Sequence, residues 1–323
     1  MSEDTENIVK KREFSWMTVL YYIHIHVLGF YGFWLLFAAK WATIIFTFAL
    51  TMIGILGLTA GAHRLWAHNS YKANVWARFL FMIAQTSTGT GSIRDWVMDH
   101  RIHHEYYGTD KDTHNHDKGF WYSHVVSNIL TRHPDYDKIE KTIDKRDLES
   151  DSLVWVQHKL YLLLFVIFGL LLPVNTPAEY WGEDLSISIF VLGFFRLAIT
   201  INASMFINSG QLIWGLKDTD KFPPDDNYIF YINRNFWLRY HYFVPWDHKT
   251  GEFGTYDTGF TSIVIKLLYE LGLVSELKTN TTEELQEALY NHAMKRFTEK
   301  EMLSELQTKA ACEALKHNYE FRH

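Results

Sequence analysis

Two apolar runs near the start of the chain leave little choice of fold. Trp16 to Phe37 reads WMTVLYYIHIHVLGFYGFWLLF, and Trp41 to Ala62 reads WATIIFTFALTMIGILGLTAGA. Each has the ~20 residues that a helix needs to cross a bilayer, and in hydrocarbon only a helix or a closed barrel satisfies its own backbone. Only Ala38 to Lys40 separates them, so they are expected to form a tight hairpin. The pair is too long and too continuous for the apolar core of a cleaved signal peptide. A second pair, about Trp155 to Val174 and Leu185 to Ile207, is joined by the loop Asn175 to Asp184. The expected fold is an all-α membrane protein with four transmembrane helices arranged as two hairpins.

Between the hairpins, His63 to Val154 is polar and rich in histidine, aspartate and tryptophan, which predicts a helical cap on one face of the membrane. Within it, Val75 to Ala84 has the pattern of an amphipathic helix lying at the interface. Lys10, Lys11, Arg12, Arg64, Lys72 and Arg78 fall on the cap side, the loop Asn175 to Asp184 carries no lysine or arginine, and Lys40 is the exception. That bias places the cap and both termini in the cytosol. The expected divisions are an N-terminal segment, 1–15, a membrane domain with its cap, 16–279, and a charged helical tail, 280–323. Apolar positions Leu285, Leu289, Ala293, Met302 and Leu306 give the tail the spacing of a solvated amphipathic helix pair.

A net charge of −6, with no dense basic stripe, argues against a nucleic-acid partner. The single cysteine, Cys312, excludes an internal disulfide framework and a cysteine-based zinc site. Histidine is left as the nitrogen ligand, and 17 are present. In His100-Arg-Ile-His-His104 the positions i, i+3 and i+4 share a helix face, so His100, His103 and His104 are expected to aim at one point. His63-Arg-Leu-Trp-Ala-His68 adds two more directly after the second apolar run. Five histidines exceed a closed tetrahedral zinc site. Two metal ions sharing the set is the economical reading, and a donor set this rich in imidazole argues for iron over structural zinc. His24 and His26, inside an apolar span, are read as hydrogen-bonded packing residues, and His158 and His292 are given no role.

With these motifs in place, the sequence resembles the membrane fatty acyl-CoA desaturases, the stearoyl-CoA desaturase type, from Trp16 to about Thr279. The first histidine box corresponds to Gly61-Ala-His-Arg-Leu-Trp-Ala-His68 and the second to Asp99-His-Arg-Ile-His-His104. Asp112, His114-Asn115 and Ser123-His124-Val125 follow the family pattern too. The resemblance implies an endoplasmic reticulum protein that inserts a double bond into a fatty acyl-CoA using dioxygen. It also implies two irons held by nine histidines and a water-bridging asparagine, with electrons from cytochrome b5. Carried over residue by residue, the metal set is His63, His68, His100, His103, His104 and His241, with Asn208 holding the water.

The C-terminal half departs from that pattern. The family's Asn-Ser-x-x-His appears as Asn208-Ser-Gly-Gln-Leu212. The third box, anchored on Pro245-Trp246-Asp247, appears as Leu238-Arg-Tyr-His241-Tyr242. Leu212 and Leu238 offer no lone pair, and Tyr242 ligates only as a phenolate, whereas an ordinary phenol has a pKa near 10. His248, Gln211 and Asp247 are nearby substitutes, but each is out of register. Arg234-Asn-Phe-Trp237 is bulkier than the family's approach to this box. Met98 and Glu105 stand where basic residues are common, leaving Arg94, Arg101 and Arg132 as candidates for coenzyme A phosphates. Arg196, Asn202 and Asn208 keep the family's polar positions in the fourth span. The expectation is a desaturase-family protein with desaturation weak or absent. The alternatives are a non-catalytic paralogue that binds acyl-CoA or partners an active desaturase, and a hydroxylase of the same superfamily, which the four-span layout fits less well.

Overall fold

The computed structural model of the protein describes residues 12–210, 212, 241–252 and 256–320. Lys10, Lys11, Gln211, the turn-rich stretch Lys221 to Asp226, the Arg234 to Trp237 segment and Leu238 lie outside the described residues. Among those described, four helices are long and apolar enough to cross a membrane: Trp16–Leu35, Trp41–Ala67, Ser152–Trp181 and Leu185–Ser209. The chain is thus an all-α, multi-pass membrane protein built from two hairpins.

The first and fourth spans pack closely because glycine lines the contact. A Cβ at Gly29 would stand 3.0 Å from Ala198 Cβ, and one at Gly32 would collide with the Phe190 carbonyl. Small residues at such crossings let helix backbones approach.

The third span runs seven residues beyond the expected end at Val174, through Pro177 to Trp181. Proline ordinarily stops a helix by removing a donor. Here Asn175 Nδ2 donates to Leu171 O at 2.7 Å and Thr176 Oγ1 to Leu172 O at 2.7 Å just before the proline, and the helix continues past it. The helix ends instead at Gly182, in the left-handed region at φ 62°. The loop expected from Asn175 to Asp184 is therefore reduced to its last residues. Lys40, the exception to the charge bias, belongs to this junction. Its Nζ donates to Trp181 O at 2.8 Å, and its backbone N–H donates to Glu183 Oε2 at 2.8 Å. A cation at a helix C-terminus is favourable where the last carbonyls are unpaired.

In the cap, Val75–Thr86 and Ile93–Glu105 are each started by a side-chain cap. Asn74 Oδ1 accepts from Ala77 N at 3.0 Å, and Ser92 Oγ accepts from Asp95 N at 3.2 Å. The first helix exposes Val75, Trp76, Phe79 and Leu80 while burying Ala77, Phe81 and Met82, so it is apolar on both its exposed and its buried side. The second buries Ile93, Val97 and Met98 against Leu58, Ala62 and Trp66. A two-residue ribbon, Lys72–Ala73 antiparallel to Val274–Ser275, ties the start of the cap to its end, with Ala73 opposite Val274.

The tail forms two helices, Thr282–Ala293 and Glu299–Glu320, the first with a complete capping box between Thr281 and Glu284. It is more than a solvated pair. Leu285, Met302 and Leu306 are buried with Val244 and Trp246, a few residues beyond His241. Trp246 Nε1 donates to Asn280 Oδ1 at 3.0 Å, and Asn280 Nδ2 donates to Leu306 O at 3.0 Å. The tail thereby braces the segment that carries a site histidine.

Candidate metal centre

The second span changes winding just where it leaves the apolar layer. Gly57–Ala67 is a fully buried π-helical stretch, and His68 N–H donates to His63 O at 3.1 Å. In an α-helix, two residues five apart point about 140° away from each other. The wider π turn brings them to one side, and the two imidazole centroids lie 4.8 Å apart. The spacing of the first box is thus usable because the helix is locally unwound there.

His63, His68, His100 and His241 converge, with one ring nitrogen from each lying within 4.8 Å of all the others. His63 Nε2 is 3.2 Å from His241 Nε2, and His68 Nε2 is 2.8 Å from His100 Nε2. Two nitrogens held at right angles by one ion at ~2.1 Å are separated by about 3.0 Å. His104 joins the edge of this group, its ring 4.6 Å from His68 and 4.7 Å from His100. Its Nε2 is buried and has no hydrogen-bond partner among the described residues. An orphaned imidazole nitrogen facing a nest of imidazoles fits a metal ion, since a buried polar atom without a partner is costly.

Residues behind the rings fix which nitrogen faces inward. His63 Nδ1 lies 3.0 Å from Glu252 Oε1, and His100 Nδ1 lies 2.8 Å from Asn208 Oδ1. Each oxygen accepts the Nδ1 proton, so the tautomer follows from its neighbour and the Nε2 lone pair points inward. Glu252 is itself held by Arg64, with Nε to Oε1 at 2.8 Å and Nη2 to Oε2 at 3.0 Å. Burial works to raise the Glu252 carboxyl pKa, but Arg64 and His63 outweigh it and keep the group well below the usual carboxylate range. Burial, followed by mutual repulsion, holds His68, His100, His104 and His241 well below the ordinary imidazole range. All four are neutral at pH 7, the form that ligates a metal. Trp96 stacks on His100 at 5.2 Å and 16°, shielding one side of the group.

No family model matches the chain. Among curated relatives, it is 38% identical over 280 residues to an acyl-CoA Delta-9 desaturase of Acheta domesticus, covering 85% of this chain and 78% of the relative. It is 36% identical over 291 residues to an acyl-CoA Delta-12 desaturase of Tribolium castaneum, covering 87% and 81%. It is 35% identical over 282 residues to an acyl-CoA Delta(11) desaturase of Choristoneura rosaceana, covering 86% and 84%. The chain belongs to the acyl-CoA desaturase family.

The other residues expected at the site from the sequence are arranged differently. His103 does not turn to the same point as its neighbours. Positions i+3 and i+4 lie about 100° apart around a helix, and the His103 centroid is 6.2 Å from His100 and 5.9 Å from His104. Its Nδ1 lies 2.6 Å from Asp112 Oδ1 and its Nε2 lies 2.6 Å from Tyr242 Oη. Asp112 accepts a hydrogen bond from Nδ1–H, so Nε2 carries the lone pair and accepts from the Tyr242 hydroxyl. Asn208, expected to hold a metal-bound water, is instead behind a ring. Its Oδ1 serves His100 and its backbone carbonyl accepts from His116 Nε2 and Ser123 Oγ. The out-of-register substitutes are bonded elsewhere: His248 Nδ1 donates to Lys278 O at 2.8 Å, and Asp247 Oδ2 accepts from Tyr256 Oη at 3.0 Å.

Glu252, Asp112 and His116 act around the site but were not assigned roles from the sequence. Each ligand-type histidine calls for an acceptor behind it, yet which acceptor serves which ring depends on contacts as distant as His63 to Glu252. The three arginines proposed for coenzyme A are all ion-paired within the cap. Arg94 meets Glu140 at 2.5 Å, Arg101 meets Asp147 at 2.6 Å, and Arg132 meets Asp95 at 3.2 Å.

Proposed function

We propose that this protein is an endoplasmic reticulum member of the desaturase family that takes fatty acyl-CoA and in which desaturation is weak or absent. The relatives named for acyl-CoA desaturation support the substrate class. The observation that carries the reading of activity is the Tyr242 hydroxyl on His103 Nε2 at 2.6 Å, where the family pattern has a histidine. Iron is the metal assigned to the histidine group, with His63, His68, His100, His104 and His241 holding it. Bound there, iron supplies one-electron redox and dioxygen chemistry.

The protein's own part is to hold these imidazoles neutral, aim their Nε2 atoms inward through Glu252 and Asn208, and cover His100 with Trp96. The cap faces the cytosol in this reading, where cytochrome b5 is the electron donor for any residual turnover. Pairing of Arg94, Arg101 and Arg132 with acids leaves less free positive charge for coenzyme A phosphates, so of the two non-catalytic alternatives it favours a desaturase partner over an acyl-CoA binder. The test is expression in cells lacking their own desaturase, followed by lipid analysis. Traces of new double bonds, or none, are expected in cells that make the protein in membranes. Double bonds at the level given by one of the active relatives would overturn the reading.

A further inference from the structure

The chemistry around His103 decides how many metal ions this chain holds. A ligand histidine needs a free lone pair on the nitrogen that faces the metal. His63 and His100 meet that condition: the Nδ1 of each is occupied by an oxygen, and the Nε2 of each faces another ring nitrogen at 3.2 Å and 2.8 Å. His103 has the same oxygen behind it, Asp112 at 2.6 Å, but its Nε2 lone pair is spent on the Tyr242 hydroxyl, also at 2.6 Å. An O–H···N contact of that length is a strong hydrogen bond, and an ordinary phenol keeps its proton at neutral pH.

The neighbours of His103 close off the same space. His116 has its ring 4.9 Å from His103, and its Nε2 donates to the Asn208 backbone carbonyl, so that nitrogen presents no lone pair. Its Nδ1 lies 3.3 Å from Tyr107 Oη. Tyr107 packs at a tilt against Tyr242 with centroids 4.4 Å apart, placing two phenol rings beside His103. Leu212 brings no donor to it. Among the described residues, His63, His68, His100 and His241 form the sole cluster whose ligand atoms converge on a metal position.

We infer that this chain binds a single metal ion, in the histidine group of His63, His68, His100, His104 and His241. The second position implied by the family is closed by a Tyr242–His103–Asp112 hydrogen-bonded relay. The inference rests on the proposed metal-binding role of that group, but not on substrate or turnover. Tyr242 donates to His103, His103 donates to Asp112, and Asp112 also accepts from the backbone N–H groups of Gly108 and His114 at 3.0 Å and 2.8 Å. The chain of donors ends on the Asp112 carboxylate, which backbone N–H groups hold in place, so the loop after the second box is anchored without an ion.

The test is metal analysis of the full chain purified in detergent after expression with added iron, monodispersity being checked for every variant. About one metal ion per chain is expected. His103→Gln and the milder Tyr242→Phe should keep that value, whereas His241→Ala should reduce bound metal at least tenfold. A visible phenolate-to-iron absorption band in the oxidised protein that vanishes in Tyr242→Phe would show that Tyr242 is a ligand and overturn the inference. About two ions per chain, or loss of metal in a well-folded Tyr242→Phe, would overturn it too, while leaving the acyl-CoA reading to the lipid assay. Absence of metal would overturn both this inference and the assignment of the histidine group.

Discussion

Replacing Glu252 by glutamine tests whether the ligand group is held from behind. The carboxylate is 2% exposed and joins Arg64, 3% exposed, to His63, 5% exposed. Glutamine keeps one acceptor but turns an NH2 group towards an Arg64 N–H, donor against donor. Arg64 is then left with neutral acceptors alone, among them His248 O at 2.6 Å and Ser262 Oγ at 3.0 Å. Stranding one partner of a buried ion pair costs ~3–5 kcal/mol. For a chain of 323 residues this lowers the unfolding midpoint by on the order of 5 °C. Replacing the carboxylate behind a ligand histidine with a weaker, neutral amide acceptor should also weaken metal binding ~10–100-fold.

Thermal unfolding in detergent and competition with a chelator read the two effects separately. The Glu252 carboxyl is lower in pKa when folded than when unfolded, so its stabilisation is complete above the unfolded value and lost as pH falls towards the folded one. The difference between wild type and Glu252→Gln should therefore be full at pH 7 and narrow in acid. A variant with wild-type midpoint and wild-type chelator competition would refute the reasoning.

Three further outcomes follow from the packing. Gly32→Ala should separate the first and fourth spans, because its methyl meets the Phe190 carbonyl; a loss of ~1–3 kcal/mol is expected in the same unfolding assay. Arg196→Met should cost roughly 3 kcal/mol, since the fully buried guanidinium donates to Ser87 O at 2.9 Å and Leu192 O at 2.9 Å as well as to Gly169 O. Metal-free protein should lose stability as the pH drops below about 6.5, where unfolded histidines take up protons that buried His68, His100, His104 and His241 resist. Each contributes up to ~1.4 kcal/mol per pH unit. A flat unfolding midpoint between pH 7 and 5.5 would contradict that.

The membrane hairpins were legible in the sequence because hydrophobic length is a direct consequence of bilayer thickness. The approach of His100 and His104 was legible too, as an i, i+4 pair on one helix face. The inward turn of His103 was overestimated, because i+3 and i+4 share a face only loosely and Asp112 and Tyr242 draw this ring aside. Nothing in local pattern announced the π turn that makes the first box work, since it depends on the buried surroundings of Gly57–Ala67. The helix through Pro177 was hidden for a similar reason: proline is a strong local stop signal, and the continuation to Trp181 is visible only in three dimensions. Burial of Leu285, Met302 and Leu306 against Val244 and Trp246 likewise links segments that a reading of helical periodicity treats apart.

The central claim, a desaturase-family scaffold with one working metal position, is tested most directly by an experimental structure of the metal-loaded protein with element-specific anomalous scattering. The account predicts one peak among His63, His68, His100 and His241, with the Tyr242 hydroxyl still bonded to His103. A second peak beside His103, with Tyr242 displaced or bound to the ion, would contradict it.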